Sequence, residues 1–487
     1  MNSEAQSSRH DTLILAALCL GSVIFYLPYI SRQFMGDDWL WLFNAKSALD
    51  DPDLFYGRPM YGYFRPLNLV WVFLLFNLFG LKAYLFSVAH ILLQGINVFL
   101  FWKVLSKFDM HRREKIIAAV VFAFYFLNVS AIGWISVGHD LWVTLLTFAF
   151  TLRLLTFIER PGGVNFIIVL LLGMAATLFK EAGFITLGLY ILLLVLKGKN
   201  PVSRKFLKYS VLILMIYFVY LIVYFKTRTV IDKDIVLGIG TITNLWYLCT
   251  YLVTPFSARA VGLFPASLVW LLQSVKIAAT FIVPMLFIYI VFRKEKTVIY
   301  FACWSLMFLS TVAVFDWGMS LFDLYPQRTV ARFMYVAVPG FAVMAGWLVN
   351  KLYSAIIKRP LKPYIAVALV VVFAAGNWVV VKKVTGLYFS RQAQCSRIIS
   401  DLKPVMPDVS AKGSLVVLTD DLERTPQIIY TGNHLEAIIF CNYNVKANVR
   451  VCPLVPGYEE CVGNIESNVV LVWNTMKNRF DDIELNR

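Results

Sequence analysis

The stretch LILAALCLGSVIFYLPYI at residues 13–30, with Gly36-Asp37-Asp38-Trp39 just beyond it, decides how the whole chain is read. About 20 mostly apolar residues cross a bilayer as a helix, and 13–30 is such a run. Glu4 and Asp11 stand beside Arg9 ahead of it, and no small-x-small cleavage site follows. It therefore reads as a retained first helix, not a cleaved signal. It delivers two adjacent carboxylates to the membrane surface. Composition agrees with a membrane reading. The 487 residues are 59% hydrophobic and 15% charged, against about 45–50% apolar and about 25% charged in soluble domains. A soluble chain of that makeup has too little polar surface to cover itself. Phe, Tyr and Trp add a 16% aromatic load. Disorder, coiled coil and a disulfide mini-scaffold are excluded. The net charge of +16, from 45 basic and 29 acidic residues, reads as Lys and Arg collected in cytoplasmic loops. No nucleic-acid partner is expected.

Outward from the first helix, a polar loop runs over 31–65. The apolar run 66–80 is too short to span and reads as an interfacial helix. The next span, 84–105, is followed by Lys107, Arg112, Arg113 and Lys115, which places that end in the cytoplasm. Further spans are expected at 116–134, 140–158, 163–180, 183–196, 208–225, 268–292, 297–315, 333–350 and 363–382. The run 242–257 reads as another surface helix. This gives about 11 spans, N-terminus inside and C-terminus outside, with Lys382 and Lys383 as a small exception to the charge rule. From about Leu387 the character changes. Residues 413–419 and 468–473 read as strands, and roughly 100 residues suffice for a small α/β domain. The expected fold class is an all-α polytopic bundle with a small C-terminal α/β domain outside the cytoplasm. The expected domains are 1–385, carrying a first outer loop over 31–83, and 386–487. Four of the seven Cys lie in the second: Cys395, Cys441, Cys452 and Cys461. They read either as one or two disulfides or as buried thiols. No internal repeat or low-complexity tract is found.

Polar residues at a membrane face are costly and often functional. Asp37 and Asp38 repel one another, so one pKa can rise. A carboxylate here can act as base for an acceptor hydroxyl or hold a divalent metal; the plain reading is an N-cap pair. No other cofactor is indicated. Arg65, in Tyr63-Phe64-Arg65-Pro66-Leu67, can grip a phosphate bidentately or simply anchor the interface. His139 and Asp140 close the outer turn Trp134-Ile135-Ser136-Val137-Gly138-His139-Asp140-Leu141; either they line a cleft or they cap a helix. Lys180-Glu181 lies between two apolar runs, again outside. Asp316, Asp323, Arg328 and Arg332 occupy the last outer loop, before Phe333-Met334-Tyr335 and Pro339-Gly340. Arg332 can stabilise a leaving phosphate or snorkel to the interface. Walker and GxGxxG sequences are lacking, so an ATP-driven transporter is not indicated. No zinc spacing occurs. Asn128-Val129-Ser130 is a glycosylation sequon beside a span.

These motifs stand in an order that resembles the membrane glycosyltransferases of the GT-C fold. An acidic pair opens the first outer loop, a Phe-Arg-Pro-Leu helix follows, then Trp-x-Ser-x-x-x-Asp-Leu, then Lys-Glu, then Arg-Phe-Met-Tyr-x-x-x-Pro-Gly. Over roughly 10–355 the chain is similar to protein O-mannosyltransferases and to bacterial lipid A aminoarabinose transferases. The resemblance implies a sugar donor on polyprenyl phosphate, a hydroxyl acceptor (glycan, lipid or protein) on the outer face, and contact with membrane lipids. It implies a bacterial inner-membrane location. Carried over, Asp37 is the general base and Asp38 orients it or helps hold a metal. Arg65, Lys180 and Arg332 meet the donor phosphate, Glu181 positions Lys180, and His139, Asp140 and Arg328 line the cleft. At the Phe-Arg-Pro-Leu and Arg-aromatic-x-Tyr segments the chain resembles the O-mannosyltransferases that carry tetratricopeptide repeats. Those repeats are absent here, a small α/β domain stands in their place, and that domain is expected to recognise the acceptor. A transporter or flippase of lipid-linked sugars, a polysaccharide polymerase or ligase, and a structural scaffold remain the competing readings. A transporter would carry its polar residues near the membrane midplane between two similar halves, whereas these gather on the outer side.

Overall fold

The structure is a computed structural model. It describes residues 2–55, 64–197, 204–227, 238–253, 266–314, 333–356, 362–419, 433–453, 469–474 and 479–481. The helices, in chain order, are α1 (Asn2–Tyr26), α2 (Asp37–Ser47), α3 (Pro66–Phe79), α4 (Ala83–Leu105), α5 (Arg112–Phe124), α6 (Val129–Gly133), α7 (His139–Glu159), α8 (Gly163–Phe179), α9 (Ile185–Lys197), α10 (Arg204–Thr227), α11 (Ile239–Val253), α12 (Ala266–Arg293), α13 (Lys296–Ala313), α14 (Val338–Ile356) and α15 (Lys362–Leu402). The terminal part adds α16 (Met406–Lys412), β1 (Ser414–Thr419), α17 (Asn433–Tyr443), β2 (Asn448–Pro453), β3 (Val469–Asn474) and β4 (Arg479–Asp481).

Among the described residues, five stretches are long and apolar enough to cross a membrane: His10–Tyr29, Ala83–Leu105, Ile135–Glu159, Lys296–Ala313 and Tyr335–Ala355. The expected eleven are not reached. Gly163–Phe179, Glu181–Leu196, Lys208–Ile222 and Val371–Lys382 are apolar but shorter; at 1.5 Å per residue, a 17-residue helix covers only about 25 Å of a roughly 30 Å core. The expected span 116–134 is a broken one, α5 and the Phe126–Gly133 segment meeting at 41°. No proline causes the bend. Tyr125 takes an extended conformation, and the Asn128 amide donates to the Phe122 carbonyl at 2.6 Å, satisfying a group the broken helix leaves open. That Asn128 is fully buried, so its sequon is closed to modification in the folded chain.

The bundle core forms where α4, α5, α7, α13 and α14 meet. Phe101 stacks on Phe148 at 5.3 Å, and Trp304 lies 5.4 Å from Phe148. The indole of Trp304 donates to the Val336 carbonyl at 2.7 Å, so a large aromatic is buried with its polar atom satisfied. The small residue at 340 allows α14 to sit against α13: a Cβ there would lie 2.0 Å from the Phe301 carbonyl oxygen. α3 buries Asn68, Leu69, Val72 and Leu75 and exposes Leu74 and Leu78, the pattern of a half-buried interfacial helix. α11 is more than a surface helix. It buries Tyr247, Leu248, Tyr251 and Leu252, and Asn244 donates to Ala313 of α13 at 2.9 Å.

One end of the bundle is stitched by basic residues. Arg112 pairs with Asp11 at 2.8 Å, Lys351 with Glu295 at 3.5 Å, and Lys296 donates to the Leu196 carbonyl at 3.0 Å. The opposite end carries the acidic loop and the terminal domain. That domain holds a four-stranded sheet in the order β2-β1-β3-β4. β1 runs parallel to both neighbours, with Val417 opposite Val451 and Leu471, and β4 is antiparallel to β3. α15 enters it without a break, running past position 387 where the sequence changes character. Cys452 is disulfide-bonded, whereas Cys395 and Cys441 are free buried thiols, so two disulfides do not form in this domain.

The terminal part of the chain and the segment after α1 share one hydrophobic core. Phe34, Trp39, Leu42 and Ala45 pack in a single cluster with Ile398, Leu435, Ile438, Ile439 and Trp473. α17 lies on α2 through a Phe43–Phe440 edge contact at 5.0 Å. Lys46 donates to the Phe440 carbonyl at 2.9 Å and lies over its ring at 4.6 Å. Burial of this kind is worth about 25 cal/mol per Å², and here neither partner covers its apolar face alone.

Candidate functional site

Asp37 and Asp38 open α2, and their neighbours separate them. Gly36 takes φ +49°, a conformation that favours glycine, and this turns the chain sharply into the helix. Asp38 is buried. Its Oδ2 accepts the Met35 N–H at 3.1 Å and its Oδ1 the Ser136 N–H at 2.6 Å. One carboxylate thus ties its own turn to the turn before α7. Burial pushes the Asp38 carboxyl up, the two N–H donors oppose this, and Asp37 adds to it, leaving it at about 7. Asp37 is the outward member, with its side chain 41% exposed.

The remaining residues at this end of the bundle form two ion pairs side by side. Arg65, the residue before α3, grips Glu181 with both ends of its fork, Nε to Oε2 at 2.9 Å and an Nη to Oε1 at 2.6 Å. Glu181 lies in the turn between α8 and α9. Burial raises its carboxyl, but Arg65 and then Lys180 outweigh burial and hold it at about 2. Lys180, extended between the two helices, donates to Asp140 Oδ1 at 2.7 Å with both side chains buried. His139 Nε2 stands 3.9 Å from the same oxygen. Asp140 Oδ2 finds no hydrogen-bond donor among the described residues. Lys180 also lies over the Phe333 ring at 5.3 Å, so the chain segment starting α14 reaches the same place. Arg328, Arg332, Asp316 and Asp323 lie outside the described residues.

The structure therefore brings Asp37, Asp38, Arg65, His139, Asp140, Lys180 and Glu181 to one end of the bundle. They are linked through Ser136, the 134–140 turn and the two ion pairs. A divalent ion favours several oxygen ligands. Both Asp38 oxygens already accept backbone N–H groups, and no group of three His, Cys, Asp or Glu side chains gathers among the described residues. The sequence reading missed one member. His434, in the first turn of α17, sets its Nε2 3.2 Å from Asp37 Oδ1. The isolated Asn433-His434 pair carries no sequence signal for this contact, which bridges 397 positions.

No family model and no curated protein matches the sequence. Among solved structures, the chain matches ArnT from Cupriavidus metallidurans, crystallised in the apo state, with a TM-score of 0.50 and 10% identity. The match covers 95% of this chain and 89% of that one. ArnT is an aminoarabinose transferase of the GT-C fold. The likeness is one of fold alone, a GT-C type membrane bundle.

Proposed function

We propose that the chain is a membrane glycosyltransferase that moves a sugar from a polyprenyl-phosphate donor to a hydroxyl on a glycan, lipid or protein. The reaction takes place on the outer face of the membrane, and the terminal domain lies on that side. The observation that carries this reading is a half-exposed carboxylate, Asp37, standing at the same end of a GT-C type bundle as two cations, the part-buried Arg65 and the buried Lys180. A lipid-phosphate sugar is already activated, so the reaction needs a base for the acceptor and positive charge for the leaving group.

In this reading Asp37 takes the proton of the acceptor hydroxyl. The acceptor oxygen bonds to the anomeric carbon with inversion as the bond from that carbon to the phosphate oxygen breaks. The bonding pair leaves with polyprenyl phosphate, whose new charge falls on the phosphate. An ammonium has three N–H donors; Asp140 takes one from Lys180, and the phosphate can take another. Asp38 is the clamp that fixes the turn beneath Asp37. Glu181 holds Arg65 and Asp140 holds Lys180, which keeps two cations at a buried site with no net charge before the donor arrives. Arg332 is a further candidate for the phosphate, with Arg328 and His139 lining the cleft.

The test is transfer of labelled sugar in membranes from a panel of polyprenyl-phosphate donors to cell-envelope acceptors. The proposal expects an inverted glycosidic product that is lost in Asp37→Asn. Movement of an intact lipid-linked sugar across vesicles with no new glycosidic bond would replace it with the flippase reading.

A further inference from the structure

The contact between His434 and Asp37 assigns the terminal domain a task that neither sequence nor fold comparison gives it. We propose that His434 is a positioning residue for the Asp37 carboxylate, which makes the terminal domain part of the catalytic apparatus. The proposal rests on the transferase reading above.

Three observations converge on it. His434 Nε2 lies 3.2 Å from Asp37 Oδ1, with the imidazole buried and the Asp37 side chain 41% exposed. A ring N–H donated to Oδ1 fixes the carboxylate plane. A catalytic base held at a defined angle does more than one that rotates, since small misplacements cost large factors in rate. The two helices also lie side by side here with their N-terminal turns level. Asp37 is in the first turn of α2 and His434 in the first turn of α17, and helix N-termini favour an anion between them. Finally, the pair is locked from behind. Leu435, Ile438 and Ile439, next to His434 on α17, share a core with Trp39 and Leu42, next to Asp37 on α2. Lys46 and Phe43 clamp Phe440 at the far end of the same helix pair. The imidazole is thus held by two rigid elements, which is what a residue acting through another requires.

The experiment compares the full chain in lipid nanodiscs with His434→Ala and His434→Gln, the latter keeping an N–H donor near the Nε2 position. Transfer is read as kcat and as KM for the donor. His434→Ala is expected to lower kcat by about tenfold or more with the donor KM unchanged, and His434→Gln to recover most of it. A second readout does not depend on turnover. In chains labelled with ¹⁵N-histidine, the ring resonance that disappears in His434→Gln should shift in Asp37→Asn and stay in place in Asp53→Asn. Full kcat in His434→Ala, or an unmoved ring resonance in Asp37→Asn, overturns the positioning role. So does equal loss in the Ala and Gln variants accompanied by a lower unfolding temperature. A wild type as inactive as Asp37→Asn on every donor would overturn the transferase reading instead.

Discussion

Asp37 and Asp38 are neighbours of the same chemical type with opposite environments, and substitutions should separate them. Asp38→Asn leaves one acceptor oxygen facing two backbone donors, Met35 N–H and Ser136 N–H. Leaving a buried donor unsatisfied costs about 1–3 kcal/mol, so this variant should unfold at lower temperature, whereas Asp37→Asn should not. A pH effect follows as well. The Asp38 carboxyl sits at about 7 in the folded chain against about 3.9 in an unfolded one. Its favourable contribution is complete below the unfolded value and is lost as pH rises through the folded one. The wild-type unfolding temperature should therefore fall between about pH 4 and pH 7, and Asp38→Asn should flatten that slope. An equal slope in both would contradict the assignment. The acidic pair was legible in the sequence as a pair. Its division was not, because it depends on an N–H 98 positions away in the Ser136 turn. His434 was illegible for the same reason, its partner lying on another element entirely.

Arg65 and Glu181 join the start of α3 to the turn between α8 and α9. The pair is part-buried, the Arg65 and Glu181 side chains being 10% and 21% exposed, so removing one partner strands the other at a fraction of the about 3–5 kcal/mol of a fully buried pair. Arg65→Ala should therefore destabilise the chain more than the double variant Arg65→Ala/Glu181→Ala, and a double-mutant cycle in thermal unfolding measures the difference. If the two prove equal, the pair does not brace these elements. A second expectation concerns α17. Ile438 is fully buried in the core it shares with α2, so Ile438→Ala should cost about 2–5 kcal/mol and make α2 more open to hydrogen exchange. Helices were legible where apolar runs were long and uninterrupted, as in α4, α7 and α13. The bend between α5 and α6 was not, since it falls at Tyr125, in an extended conformation, with no Pro or Gly there, and the carbonyl it opens is satisfied by the Asn128 amide. α15 outran its expected end because hydropathy marks where a helix leaves the bilayer, not where it stops. No proline interrupts it between Pro363 and Pro404.

At the scale of the whole molecule, the chain has two unlike ends. One is basic and held by surface ion pairs. The other gathers the acidic loop, the two cations and the terminal domain. The separation of charge between the ends was legible in the sequence from the alternation of Lys and Arg clusters. The merging of loop and domain into one core was not, because a shared core leaves no composition boundary. Truncation after Lys382 should accordingly expose 37–47 to protease while the bundle remains folded; an α2 that stays protected would show that the two are separable. The central claim is that Asp37 takes the acceptor's proton. The most direct measurement is the single-turnover transfer rate of wild type and Asp37→Asn with labelled polyprenyl-phosphate sugar already bound, donor binding being measured on the same samples. Unchanged donor binding with a rate lower by about 10²–10⁴-fold is the expected result. Equal rates in both chains would contradict it.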